Sequence, residues 1–287
     1  MELTNPTLVK ALLESHGFRF SKSMGQNFLI ASWVPEDIAE SARLTKEDGV
    51  LEIGPGIGVL TRELAERAGK VLSLELDERL RPILAKTLSD CGNVDVVFTD
   101  AVKADLVSLC RTHLGERPWH VCANLPYNVT TPLLTAFIEA GCFESITVMI
   151  QREAAQRLCA APGSADYCAF TAEVDWFTER ETLFDVTPDC FLPQPKVTST
   201  VLRLTKRRTP LCEVTDERFF LRVLKAAFVQ RRKALPNAIN ASMPNISKDT
   251  VRTALEEQGL SGDIRGEKLS SLQFATLTNS LLCKLNG

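Results

Sequence analysis

The 287-residue sequence predicts an α/β fold: a parallel sheet flanked by helices, followed by a small all-helical domain. Three observations carry that expectation. Short apolar runs suited to buried strands recur up to residue 151, and helical spacings alternate with the first three of them. Beyond about Asp216 no strand pattern remains and apolar residues recur only at helical intervals.

In chain order, strands are expected at GVLEIG (49–54), KVLSLEL (70–76), VDVVFTD (94–100), WHVCAN (119–124) and SITVMIQ (145–151). Helices are expected between them at 58–68 and 77–90, where Leu, Ile and Ala recur at three- and four-residue spacings. Strands alternating with helices imply βαβ units, whose crossovers make the sheet parallel and cover both its faces. Three further helical patterns follow at 216–230, 248–258 and 268–285. The charged, Pro-containing stretch KRRTPLCE (206–213) reads as the linker. Residues 1–205 are therefore expected to form the sheet domain, with residues 1–45 as an N-terminal helical arm, and residues 206–287 the helical domain.

Composition narrows the function classes. No run approaches the ~18 apolar residues of a membrane span, and the first 20 residues resemble neither a signal core nor a transit peptide. A cytoplasmic protein is expected. The nine cysteines are odd in number and lack any Cys-x-x-Cys pair, so they read as small buried hydrophobes, with no metal site expected. The net charge of −3 is unevenly spread. Residues 206–287 carry 14 Lys and Arg against 8 Asp and Glu, whereas the first 205 carry 19 against 28. TKRRT (205–209) and FVQRRKAL (228–235) concentrate the tail's charge, either as solvated helix faces or as an electrostatic footprint for phosphates.

The first strand runs into LEIGPGIGVLTREL, with glycines at 54, 56 and 58, where backbone can approach a ligand and adopt positive φ. The third glycine of the dinucleotide fingerprint Gly-x-Gly-x-x-Gly is replaced by Val59. The spacing Glu-x-Gly-x-Gly-x-Gly, with Glu52 inside the strand, resembles the first motif of S-adenosylmethionine-dependent methyltransferases. Glu75 ends the second strand, where an acid can accept hydrogen bonds from both ribose hydroxyls. Asp100 ends the third, in reach of an adenine amino group. Each acid alone can be a helix N-cap; three acids, Glu52, Glu75 and Asp100, on three successive strands beside a glycine turn point to a ligand.

Asn124 ends the fourth strand and opens NLPYNVTTP (124–132). Leu125-Pro126 can simply terminate a strand before a helix starting at Thr131-Pro132. At the carboxyl edge of a doubly wound sheet, however, the same residues suit transfer to an exocyclic adenine amine. That nitrogen is a poor nucleophile because its lone pair is delocalised. The Asn124 side-chain oxygen and a backbone carbonyl, at Leu125 or Pro126, can accept its two N–H bonds and free the lone pair, so catalysis rests on orientation and placed acceptors. Tyr127 can stack on the base.

Taken together, SMGQNFL (23–29), LEIGPGIGVLT (51–61), LELD (74–77), TDA (99–101), NLPY (124–127), FLPQPKVTSTVLRL (191–204) and FVQRRKALPNAI (228–239) resemble bacterial small-subunit ribosomal RNA adenine dimethyltransferases over about residues 20–285. The resemblance implies a Rossmann-like S-adenosylmethionine-dependent methyltransferase domain. It implies that Asn27 and Leu29 close over the cofactor, and that Gly54, Gly56, Glu75, Asp100 and Asn124 contact it. Asn124, with the Leu125 or Pro126 carbonyl, would hold the target amine, and Tyr127 with Phe191 would sandwich the adenine. As a residue pattern alone, Phe191 can equally be a core side chain in a Pro-rich turn. Lys206, Arg207, Arg208, Arg231, Arg232 and Lys233 would bind RNA, and the substrate would be small-subunit ribosomal RNA within a pre-assembled subunit, met by a monomeric enzyme. Two departures concern the grip on RNA: HGFRFSKSM is less basic than the family's usual segment, and Pro236 replaces a usual non-proline.

Three other readings are open. A sister class dimethylates large-subunit ribosomal RNA with a similar Asn-Pro-aromatic motif; the QRRKAL stretch favours the small-subunit class. A nicotinamide-dependent dehydrogenase conflicts with Val59 and with the lack of a hydride-transfer acid. A non-catalytic RNA-binding factor conflicts with the intact Asn124, Pro126 and Tyr127 set.

Overall fold

A computed structural model describes residues 2–20 and 26–286. The chain divides into two compact units, residues 1–155 with 180–206, and residues 156–179 with 207–287.

The first unit is built on a seven-stranded sheet of β2 (Gly49–Ile53), β3 (Lys70–Glu75), β4 (Val94–Phe98), β5 (Trp119–Asn124), β6 (Phe143–Gln151), β7 (Thr178–Val186) and β9 (Ser199–Lys206), in the order β4-β3-β2-β5-β6-β9-β7. The pairs from β4 to β6 are parallel, and β9 runs antiparallel to β6. All five expected strands are present. Chain order proceeds outward from β2 to β4, then restarts on the other side at β5. The β2–β5 boundary is thus the topological switch point, where the carboxyl ends of strands open a crevice. Central β2 is buried along its whole length, as a strand covered on both faces requires.

Helices α2 (Trp33–Ser41), α3 (Val59–Arg67), α4 (Arg81–Thr87), α5 (Leu106–Leu114) and α6 (Thr130–Ala140) also belong to this unit. The expected helix at 77–90 is shorter, because Asp77 caps a 3₁₀ turn at Glu78–Leu80 before α4 begins. The arm is only partly helical. Helix α1 (Pro6–Ser15) is capped by Asn5, and then β1 (Phe28–Leu29) pairs antiparallel with β8 (Phe191–Leu192). Leu12, Phe18 and Phe28 of the arm share a buried cluster with Ile57, Leu80 and Leu84.

The second unit contains α8 (Ala169–Phe177), α9 (Glu217–Val229), α10 (Leu235–Ser242), α11 (Lys248–Glu256) and α12 (Ser271–Asn286); α7 (Arg152–Leu158) straddles the first break between the units. Asp216 and Ser247 cap α9 and α11 by accepting from Phe219 N and Thr250 N. The expected boundary at 205/206 is therefore incomplete, since residues 156–179 join the C-terminal helices. Trp176 lies 4.5 Å from Phe220, ring to ring, and Ser271 Oγ donates to Ala172 O and Asp175 Oδ2 at 3.0 and 2.6 Å. The apolar face of α8 finds its complement on α9, a pairing no sequence period reveals. Among the described residues no helix is long and apolar enough to cross a membrane.

Candidate active site

The glycine turn leaves β2 with left-handed backbone at Gly54 (φ 70°), Gly56 (φ 59°) and Gly58 (φ 90°). A Cβ on Gly56 would stand 3.0 Å from the Phe28 ring, so glycine there also lets the arm close against the turn. On Gly54 it would meet Pro126 at 3.7 Å, which measures how nearly the turns after β2 and β5 touch.

Behind this turn lie two carboxyls. Glu52 is 1% exposed, and Thr61 and Ser73 both donate to its Oε2 at 2.7 Å. Burial raises its pKa to about 7 against those two hydrogen bonds, with a smaller push from the Glu75 charge. Glu75, also buried, accepts from Asp77 N at 2.8 Å on Oε1 and from Gly56 N at 3.3 Å on Oε2. Desolvation raises its pKa too, opposed by backbone N–H groups. Asp100 behaves oppositely: the Lys103 ammonium at 3.0 Å, then Val102 N–H, hold its carboxyl below the usual range.

The ladder of β5 continues past Asn124, where Leu125 N donates to Met149 O at 3.1 Å. The Pro126 carbonyl accepts from Val129 N at 3.1 Å and Thr130 Oγ1 at 3.2 Å. Those two bonds tie it to the start of α6, so of the two expected backbone acceptors the Leu125 carbonyl is the better placed to serve a ligand. Tyr127 is anchored by its hydroxyl, 2.6 Å from Ser199 Oγ on β9, and burial raises its pKa.

One cavity gathers these parts. Asn27, Gly54, Gly56, Glu75, Asp100 and the whole Asn124–Tyr127 turn line it. Leu29 and Phe191 do not line it. They pair with each other between β1 and β8 and are 4% and 1% exposed, in one core cluster with Val186 and Cys190. The Phe191 ring therefore packs in the core, off the cavity wall. Sequence reasoning missed Gln26, Phe28, Leu76 and Val102 on the cavity wall. Leu76 and Val102 are 57% and 42% exposed, and the available signal was an apolar residue just beyond each strand-end acid. The motif positions 23–25 lie outside the described residues.

A family model described as ribosomal RNA adenine dimethylase matches residues 17–282. The chain belongs to that family. Relatives named ribosomal RNA small subunit methyltransferase A include those of Alkaliphilus metalliredigens, 42% identical over 284 residues (99% of each chain), and Shouchella clausii, 42% identical over 287 residues (99% of this chain, 97% of the relative). Among solved structures, the 23S rRNA methyltransferase ErmE is similar at 29% identity and a TM-score of 0.69, over 89% of this chain and 99% of that one. A dimethyladenosine transferase from Plasmodium falciparum, at 23% identity and a TM-score of 0.72 over 90% and 97% of the two chains, shares the fold.

The basic residues of this dimethylase-family chain divide into two groups. Arg207 is internal: its Nε donates to Asp175 O at 3.0 Å and its guanidinium lies 3.5 Å from Glu179. Arg231 pairs with Glu267 at 2.8 Å and donates to the Ala165 carbonyl. Both brace their own unit through these contacts. Lys206 is exposed, with its ammonium on Gly141 O at 2.8 Å. Arg208, Arg232 and Lys233 are exposed, and no acid pairs with them among the described residues.

Proposed function

We propose that this dimethylase-family chain converts adenine to N6,N6-dimethyladenine in a loop of small-subunit ribosomal RNA, using S-adenosylmethionine as donor. The observation that carries the reading is the single cavity at the switch point, onto which the glycine turn, Glu75, Asp100 and the Asn124–Tyr127 turn all open. Full-length similarity to relatives named for the small subunit supports the substrate class.

The cavity suits the cofactor on its own chemistry. Each Glu75 oxygen already takes one backbone N–H, which leaves lone pairs for two ribose hydroxyls. Leu76 and Val102 offer apolar surface beside Asp100, as a purine face with an amino group requires. When bound, S-adenosylmethionine supplies an electrophilic methyl group on a sulfonium. Asn124 and the Leu125 carbonyl orient the amine by accepting hydrogen bonds from its N–H groups, and Tyr127, its hydroxyl held by Ser199, presents its ring to the base. An adenine stacked in a duplex cannot reach this turn, so the target is unpaired or flipped. The enzyme acts in the cytoplasm, as a monomer, on a pre-assembled subunit; Arg208, Arg232 and Lys233 position the RNA.

Mass spectrometry of ribosomal RNA from cells lacking the gene, complemented with wild type or Asn124→Ala, tests the reading. Wild type restores dimethyladenosine in small-subunit RNA and Asn124→Ala does not. A mark restored only in large-subunit RNA assigns the chain to the ErmE-like activity instead.

A further inference from the structure

We propose that Asp77 is a positioning residue for cofactor binding: its buried carboxylate ties the N-terminal arm, through Gln26, to the Glu75 end of β3. This inference rests on the reading of the cavity as a cofactor site. Asp77 is 3% exposed and does not line the cavity, whereas Gln26, Asn27, Phe28 and Glu75 do. Its Oδ2 accepts from Gln26 Nε2 at 2.7 Å, across 51 positions of sequence. Arg79 closes on the same carboxylate, Nε to Oδ1 at 2.8 Å and a terminal nitrogen to Oδ2 at 2.6 Å.

Capping of the 3₁₀ turn accounts for one bond only, from Arg79 N to Oδ1 at 3.1 Å. The others converge on the arm. The second terminal nitrogen of Arg79 donates to Arg19 O at 3.2 Å, and its guanidinium lies 5.0 Å from the Phe18 ring centre. Two points of the arm, Arg19 and Gln26, thus lead back to one carboxylate. The main-chain N–H of Asp77 meanwhile donates to Glu75 Oε1, a bond that survives any side-chain change. Removing the carboxylate therefore takes away the acceptor of this Gln26 tie, next to Asn27 and Phe28, without taking away a group that faces the ligand. Gln26 donates to an ionised, desolvated acceptor, the kind of hydrogen bond whose loss matters most.

Titration calorimetry with S-adenosylhomocysteine, paired with steady-state methyl transfer, tests the assignment. Asp77→Ala and Gln26→Ala should each weaken binding about tenfold, the order of one charge-assisted hydrogen bond. The double variant should lose much less than the product of the two single losses, because both remove the Gln26–Asp77 link. For Asp77→Ala, which lies off the cavity wall, KM for S-adenosylmethionine should rise while kcat at saturating cofactor stays near wild type. Asp77→Asn, which keeps an oxygen for Gln26 and gives up the Arg79 charge pair, should recover part of the affinity. Gln26→Ala changes a half-buried amide and keeps the test open should Asp77→Ala fold poorly. Unchanged affinity in folded Gln26→Ala, or single losses that multiply in the double variant, overturns the proposal while the cofactor reading stands. Wild-type protein with no affinity for S-adenosylhomocysteine overturns both.

Discussion

At the scale of single residues, burial separates acids with different work. Glu75 meets backbone donors on both oxygens, so Glu75→Ala should leave ribose hydroxyls facing a methyl group and weaken cofactor binding by about one to two orders of magnitude, measurable by calorimetry. Glu52 has a pH signature of its own. Its pKa is about 7 in the folded chain against 4.5 as its ordinary value. Between those values the folded state holds a proton that the unfolded state has released, so rising pH lowers stability across that window. The cost is complete above about pH 7 and amounts to about 3 kcal/mol. Glu52→Gln should flatten this slope and be more stable than wild type at pH 8, as read by urea unfolding over a pH series; an unaltered slope would reject the assignment. Glu75, Asp100 and Asn124 were legible as candidates for the cavity wall because each ends a strand next to a turn. The buried placement of Phe191 was not legible, because an aromatic in a Pro-rich turn looks alike whether it faces a ligand or the core. Asp77 gave no signal, since its partner Gln26 is remote in sequence.

At the scale of elements, the five strands of the parallel part were legible, edge strand β4 included, whereas β7 and β9 were not. β2 is apolar throughout because both its faces are covered, whereas edge strand β7 reads TERETLFDV, with its exposed positions polar. β1 and β8 have two residues each, too few for any period to register. Charge runs were legible as runs, but which cations stay open depends on acids supplied by other segments: Asp175 and Glu179 take Arg207, and Glu267 takes Arg231. Replacing Arg208, Arg232 and Lys233 together by Gln should therefore reduce RNA affinity and flatten its log–log salt dependence by about 0.7 to 0.9 for each phosphate that is no longer neutralised. Methylation at saturating RNA should persist. Filter binding across a salt series checks this, and an unchanged slope returns these cations to the role of a solvated face. Arg231→Ala should act differently, lowering the melting temperature because Glu267 loses its brace.

At the scale of the whole molecule, the alternation of strand and helix predicted the parallel sheet, and the tail's helical spacing predicted the second unit. The unit boundary needed more, because residues 156–179 leave the sheet unit and the chain returns to it at β7. Such an excursion depends on helix-face complementarity and leaves no local mark in composition. The two-residue ladder between β1 and β8 has one last consequence. It joins backbone next to Asn27, on the cavity, to backbone at Phe191 and Cys190, with Ile30 N donating to Cys190 O at 2.9 Å. The arm and the loop after β7 are thus joined, and any coupling of cofactor to RNA carried by that joint is symmetric: the factor by which cofactor tightens RNA must equal the factor by which RNA tightens cofactor. Ile30→Pro removes the N–H donor of that ladder, so the two factors, measured from four dissociation constants, should fall together toward one.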